Sequence, residues 1–218
     1  MSTFTLFRLL VLWVSSFAVF SCSVPEYDYS KFKASNPTSI LVLPPINETT
    51  EVGAEQAVLS SLIKPLSEAG YYMIPPSLMT ETFKRNGYTQ PSEIHKIEIS
   101  KLRKIFAADA VLKVKITQYG QKYLVITSRS DVQLEAKLFD SKTGEEIWSG
   151  SAYASSSENS SSNQLGLAGI LVEAVVTQVV GDILDASYLT AKTASDRLVN
   201  PKLKNTLLHG PKHPSYVR

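Results

Sequence analysis

Two periods of apolar residues organise the chain. Ile40-Leu41-Val42-Leu43 is a continuous apolar run stopped by Pro44-Pro45. Such a run predicts a buried strand with a hard end. Across residues 51–68, Val52, Ala54, Val58, Leu59, Leu62, Ile63 and Leu66 recur at helical spacing. Pro65 is expected to kink the last turn, and Gly70 to close the helix. Tyr71-Tyr72-Met73-Ile74 predicts a second strand, stopped by Pro75-Pro76. Ser77 is a suitable N-cap for a short helix ending near Asn86-Gly87. Pro91-Ser92 opens a further helix, with Ile94, Ile97, Leu102, Ile105 and Phe106 on one broad face.

From Asp109 the period becomes two. Ala110, Leu112, Val114 and Ile116 alternate with Val111, Lys113, Lys115 and Thr117. Tyr123 to Thr127 is rich in β-formers, and Val132, Leu134, Ala136 and Leu138 alternate again. Asp140 to Gly144 reads as a turn, with the chain returning over Glu146 to Tyr153. Three antiparallel strands joined by hairpins are expected, one face on the core and one wet. A serine-rich loop over residues 155–164 precedes Leu165 to Leu184, which is apolar on most sides. Glu173, Gln178 and Asp182 argue against a bilayer span there. A stripe this wide buries more than one face. Leu165, Gly166, Gly169, Ile170, Val172, Val176 and Val180 are therefore candidate interface residues, and self-association through them is expected. The order of elements implies an α/β fold, a mixed β-sheet with helices packed on it.

The N-terminus follows a different rule. In residues 1–21 Arg8 is the only charge, and residues 9–20 are apolar apart from Ser15 and Ser16. This is the form of a secretory signal peptide, and its uninterrupted apolar stretch is shorter than the roughly 20 residues of a spanning helix. The chain's single cysteine, Cys22, follows directly. A lone thiol in an exported chain has no internal disulfide partner. The segment Val19-Phe20-Ser21-Cys22 resembles the lipobox of bacterial lipoproteins, with Phe20 standing where that pattern has a small residue. The resemblance implies lipidation of Cys22 and cleavage before it. By resemblance to enterobacterial sorting rules, Ser23 rather than Asp after the cysteine implies the outer membrane. The alternatives are a plain secreted protein or an uncleaved anchor. Residues 22–37 read as a lipidated flexible tether, 38–187 as one α/β domain, and 188–218 as a basic tail. From Ala191 onward the tail carries six cations and one anion. The whole-chain charge of +2 gives no argument for nucleic acid.

Chemistry is sparse. The three histidines are His95, His209 and His213. His95 lies beside apolar Ile94 and reads as a boundary residue. His209 and His213 are four apart, but Gly210 and Pro211 break any helix between them, and no third metal ligand is near. Asp140-Ser-Lys-Thr-Gly-Glu145 lacks the regular oxygen ligands of a calcium loop and reads as a hairpin turn. Trp148 is expected in the core. No catalytic set, cofactor motif or metal site is expected.

Several segments resemble a family of small, uncharacterised lipoproteins of Gram-negative bacteria. They are Gly70 to Pro75, Asn86-Gly87, Ala107 to Leu112, Leu138 to Gly144 with Ile147-Trp148, and Leu208 to Pro214. That family's fold is similar to the TolB N-terminal domain and the periplasmic part of CsgG. The resemblance implies an outer-membrane lipoprotein facing the periplasm, working with companion lipoproteins, one of them CsgG-like. The function expected is a non-catalytic binding and assembly module. The alternative is a transport accessory that binds a small apolar ligand or lipid.

Overall fold

The computed structural model describes residues 27–123, 128–161, 186–200 and 203–216. Strand β1 (Ser39–Val42) lies between β3 (Tyr72–Met73) and β4 (Ala110–Gln118), parallel to both. Short β2 (Ile46–Asn47) also runs parallel to β4. From β4 onward the sheet is antiparallel. β6 (Ser128–Asp140) pairs with β4, with β5 (Gln121–Tyr123) and with β7 (Glu146–Ser155). This is the mixed sheet that the two apolar periods predict.

The register assigns the faces. Ile40, Val42, Ala110, Leu112, Val114 and Ile116 point to one core. Leu41, Leu43 and Val111 point to the other. The first core is covered by α2 (Ala54–Glu68) and α6 (Ala186–Leu198). The second is covered by α3 (Pro76–Arg85), α4 (Pro91–Ile94) and α5 (Ile99–Phe106). Beyond Val111 this second face of β4 turns wet, and Lys115 pairs there with Glu48 at 2.9 Å. Where α2 meets α6, the buried hydroxyls of Ser61 and Ser195 bond to each other at 2.7 Å. Each thereby meets the hydrogen-bond need that burial imposes.

Helix α2 runs through Pro65 to Glu68 and ends in a Schellman motif. The Tyr71 N–H reaches the Leu66 carbonyl, and the Gly70 N–H reaches that of Ser67. Gly70 sits at φ +90°, the left-handed conformation this motif requires. The helix expected over residues 91–106 is instead two helices. Glu98 between them is extended, at φ −61° and ψ 134°, and Ile105, expected on the apolar face, is 55% exposed.

Two boundaries differ from expectation. Residues 27–37 are not a free tether. Phe32, in α1 (Ser30–Ser35), is buried, and Tyr27 and Tyr29 pack against the same core. Nor are the described residues from 188 onward a free basic tail. α6 buries Ala191, Ala194 and Leu198, and the segment after it buries Leu207. That segment forms a strap. The Tyr29 hydroxyl donates to the Thr206 carbonyl at 2.6 Å, and the Tyr216 hydroxyl donates to Asn36 Oδ1 at 2.7 Å. The two ends of the described chain thus hold each other.

Asp140 joins the β6–β7 turn to α1. Its Oδ1 accepts from the Lys142 and Thr143 amides, and its Oδ2 from the Ser35 hydroxyl. Burial alone would raise its pKa, but the bonds from Ser35, Thr143 and Lys142 outweigh burial and hold it below the usual carboxylate value. A depressed folded pKa gives stability that is complete above the ordinary carboxylate range and is lost as pH falls through the folded value. Asp140→Asn is expected to cost about 2 kcal/mol near neutral pH. The gap between wild type and variant should narrow below about pH 4. Urea unfolding at neutral pH and near pH 3 checks both points.

Candidate functional site

Cys22 and the expected interface residues Leu165, Gly166, Gly169, Ile170, Val172, Val176 and Val180 lie outside the described residues. Two clefts lined by described residues stand beside α5, the first of them next to β3.

β3 pairs with β1 alone, so it is an edge strand. Tyr72 on this edge is 54% exposed. Beside it lies an open groove of about 360 Å³, walled by Ile74, Leu78, Ile105 and Phe106. Leu78 and Ile105 are more than half exposed, so this wall keeps hydrocarbon in water. The edge itself is short, which limits its use as a template for a further strand.

A second cleft, of about 340 Å³, adjoins the groove at Ala107. Ala107 terminates α5 in the left-handed conformation, at φ 54°. Arg103 and Lys104 come from the last turn of α5, and Lys142 from the β6–β7 turn. Asp109 also lines this cleft, but its Oδ2 accepts from the Thr38 and Ser39 amides and the Ser39 hydroxyl. Ser141 in the same wall is 2% exposed, and its Oγ has no hydrogen-bond partner.

The histidines behave structurally. His95 Nε2 bonds to the Pro44 carbonyl at 2.9 Å, and Lys113 Nζ donates to the His95 carbonyl at 2.7 Å. Burial chiefly lowers the His95 pKa. The Pro44 bond opposes this, while Lys113 and Lys115 add to it. The ring is therefore neutral at neutral pH and braces the loop after β1. His209 and His213 do meet, with ring centroids 3.6 Å apart. Gly210 and Pro211 bring them together through a turn rather than a helix. Among the described residues, no group of three potential ligands surrounds them or any other point.

Trp148 is 1% exposed, as expected of a core residue. Its indole N–H donates to the Asn205 carbonyl of the strap at 3.3 Å. Sequence reasoning missed the convergence of Arg103, Lys104 and Lys142. The only signal was a pair of cations ending one helix and one cation in a hairpin turn nearly forty residues later.

An α/β domain of this order, after an apolar segment that stops at a lone cysteine, is the plan expected of an envelope lipoprotein. The chain belongs to the family described as "Putative lipoprotein GNA1162-like", which it matches over residues 27–212. It is 44% identical over 198 residues to "Putative lipoprotein NMB1124/NMB1162" of Neisseria meningitidis serogroup B, covering 89% of this chain and 91% of that protein. The crystal structure of lipoprotein GNA1162 from Neisseria meningitidis superposes with a TM-score of 0.53 at 45% identity. That match covers 66% of this chain and 99% of the other. The PelC dodecamer from Paraburkholderia phytofirmans aligns at 14% identity and a TM-score of 0.45, over 80% of this chain and 90% of that one. A likeness at that level carries no inference about partners.

Proposed function

We propose that this protein is an outer-membrane lipoprotein facing the periplasm. It is held by acyl chains on Cys22 and acts as a non-catalytic binding and assembly module with companion lipoproteins, a CsgG-like protein among them. The observation that carries this reading is family membership together with the place of the only cysteine, at the break between the leader and the polar segment. The mixed sheet covered on both faces supports the finer likeness to the TolB N-terminal and CsgG periplasmic domains. Self-association through residues 165–184 belongs to the same reading, and the excess of apolar positions there supports it.

The docked N-terminal segment sharpens the mechanism. Cys22 stands five residues before Tyr27, where the described domain begins. Five residues span at most roughly 18 Å. The domain would therefore work close against the membrane, without the longer reach that a tether through residue 37 would give. Cys22→Ser, placed behind a leader that ordinary signal peptidase removes, is expected to move the protein from the membrane pellet to the soluble periplasmic fraction while its melting temperature stays unchanged. Retention of the variant in the membrane after a salt wash would contradict anchoring through this residue. Light scattering of the detergent-extracted protein tests self-association, with Val176→Glu expected to reduce the measured mass.

A further inference from the structure

The basic cleft and the apolar groove share Ala107 and form one continuous surface. Among the described residues, Arg103, Lys104 and Lys142 make no ion pair. A helix C-terminus favours cations, which accounts for Arg103 and Lys104. It does not account for Lys142, which the β6–β7 turn delivers to the same place. The carboxylates nearby are already engaged. Asp109 Oδ2 accepts three hydrogen bonds, and Asp140 is held by Ser35, Lys142 and Thr143.

Ser141 is the independent observation. Its N–H is bonded to the Asp109 carbonyl at 2.8 Å. Its Oγ is the one buried side-chain polar atom among the described residues without a partner. Buried hydroxyls are ordinarily paired, and an exception calls for a partner the protein itself does not supply. The turn that brings Lys142 to the other cations thus also carries, in the same wall, a polar group left unanswered. On the other side of Ala107, Tyr72, Leu78 and Ile105 leave hydrocarbon uncovered.

We propose that this surface binds an anionic phospholipid. Its phosphate lies among Arg103, Lys104 and Lys142, against the wall that holds Ser141. Its glycerol and acyl portion runs along Tyr72, Leu78 and Ile105. Charge complementarity favours an anion over a neutral apolar ligand, and the uncovered hydrocarbon beside it favours an anion with an apolar portion over free phosphate. This site deepens the membrane-anchored reading, and it is tested without the anchor so that the two stand or fall separately.

The chain from residue 22 onward carrying Cys22→Ser keeps every described residue and takes no acyl chain. It is sedimented with vesicles of phosphatidylglycerol or of phosphatidylcholine, and titrated with inorganic phosphate alone while amide NMR shifts are followed. The expected result is binding to phosphatidylglycerol that weakens with salt. Binding to phosphatidylcholine should be weaker by about tenfold or more. Arg103→Gln with Lys104→Gln and Lys142→Gln should lower binding to anionic vesicles by about tenfold or more. Leu78→Ser with Ile105→Ser should weaken it several-fold and keep its dependence on charge. Single Lys142→Gln, an exposed turn residue, serves as the second variant, and an unchanged melting temperature shows that each variant is folded. Equal binding to both vesicles, no binding to either, or wild-type binding by the triple variant would overturn the proposal. Phosphate shifts at Ser141 without vesicle binding would also overturn the lipid assignment. None of these outcomes alters the mass of acylated Cys22, which tests the anchor by itself.

Discussion

Trp148→Ala is expected to destabilise the protein by about 3–5 kcal/mol, the usual range for a buried tryptophan cut to alanine. For a domain of this size that corresponds to a fall in melting temperature of roughly 10 °C or more. The residue joins three parts of the fold. It pairs with Leu138 across the β6–β7 ladder, it fills the first core, and its indole N–H holds the strap carbonyl of Asn205. A Cβ added to Gly150 would lie 2.4 Å from the Trp148 ring, so the ring lies close against that backbone and the strap. Trp148→Phe keeps most of the volume and loses the hydrogen bond. It should cost distinctly less than the alanine variant. Calorimetry on both variants separates cavity from hydrogen bond. Equal, small losses in both would show that the residue is not a junction.

The second large effect is expected at Gly70. A Cβ built there would lie 2.3 Å from the His213 amide nitrogen and 2.8 Å from its Cβ, at a φ of +90°. Backbone cannot yield as a flexible side chain can. Gly70→Ala must therefore either strain α2's terminus or expel the strap from the Ala69–Gly70 carbonyls that hold Gly210 and Lys212. The expected cost is about 3 kcal/mol. Gly87 provides the control, because its φ is +81° and a Cβ there would meet nothing within 4 Å. Gly87→Ala carries only the left-handed penalty, about 1 kcal/mol. The difference between the two variants isolates the close approach. Of the two tryptophans in the chain, Trp13 precedes residue 22. In the protein from residue 22 onward, Trp148 fluorescence therefore reports on the strap. A red shift in Gly70→Ala and none in Gly87→Ala is the expected pattern.

The sheet was legible because burial writes itself into period. β1 carries apolar residues on both faces, and β4 and β6 show alternation. The Pro-Pro pairs mark where β1 and β3 must stop. The turn over Asp140 to Gly144 was legible because Gly144 supplies the positive φ it needs, observed at 75°, whereas the Asp140 bonds to the amides ahead of it were not foreseen. The two ends were misread for a different reason. α6 buries alanine, serine and threonine, including Ala191, Ala194 and Ser195. Close packing against α2 needs small residues, so its buried face looks polar in sequence. α1 has six residues, too few to show a period, and its neighbours Tyr27 and Tyr29 look like scattered aromatics on a linker. The break at Glu98 was hidden because apolar positions on both sides happen to continue one helical phase. The basic cleft could not be read at all. Its cations are unremarkable singly, and only the Asp109–Ser141 contact brings the β6–β7 turn beside the end of α5.

Cys22 is proposed to carry the membrane anchor of a folded domain. The most direct measurement is the intact mass of the protein purified from membranes in detergent. The expected mass is that of residues 22–218 plus a glycerol unit and three acyl chains. An unmodified chain beginning near residue 22 would contradict it, and would make the protein a soluble periplasmic one with a free thiol.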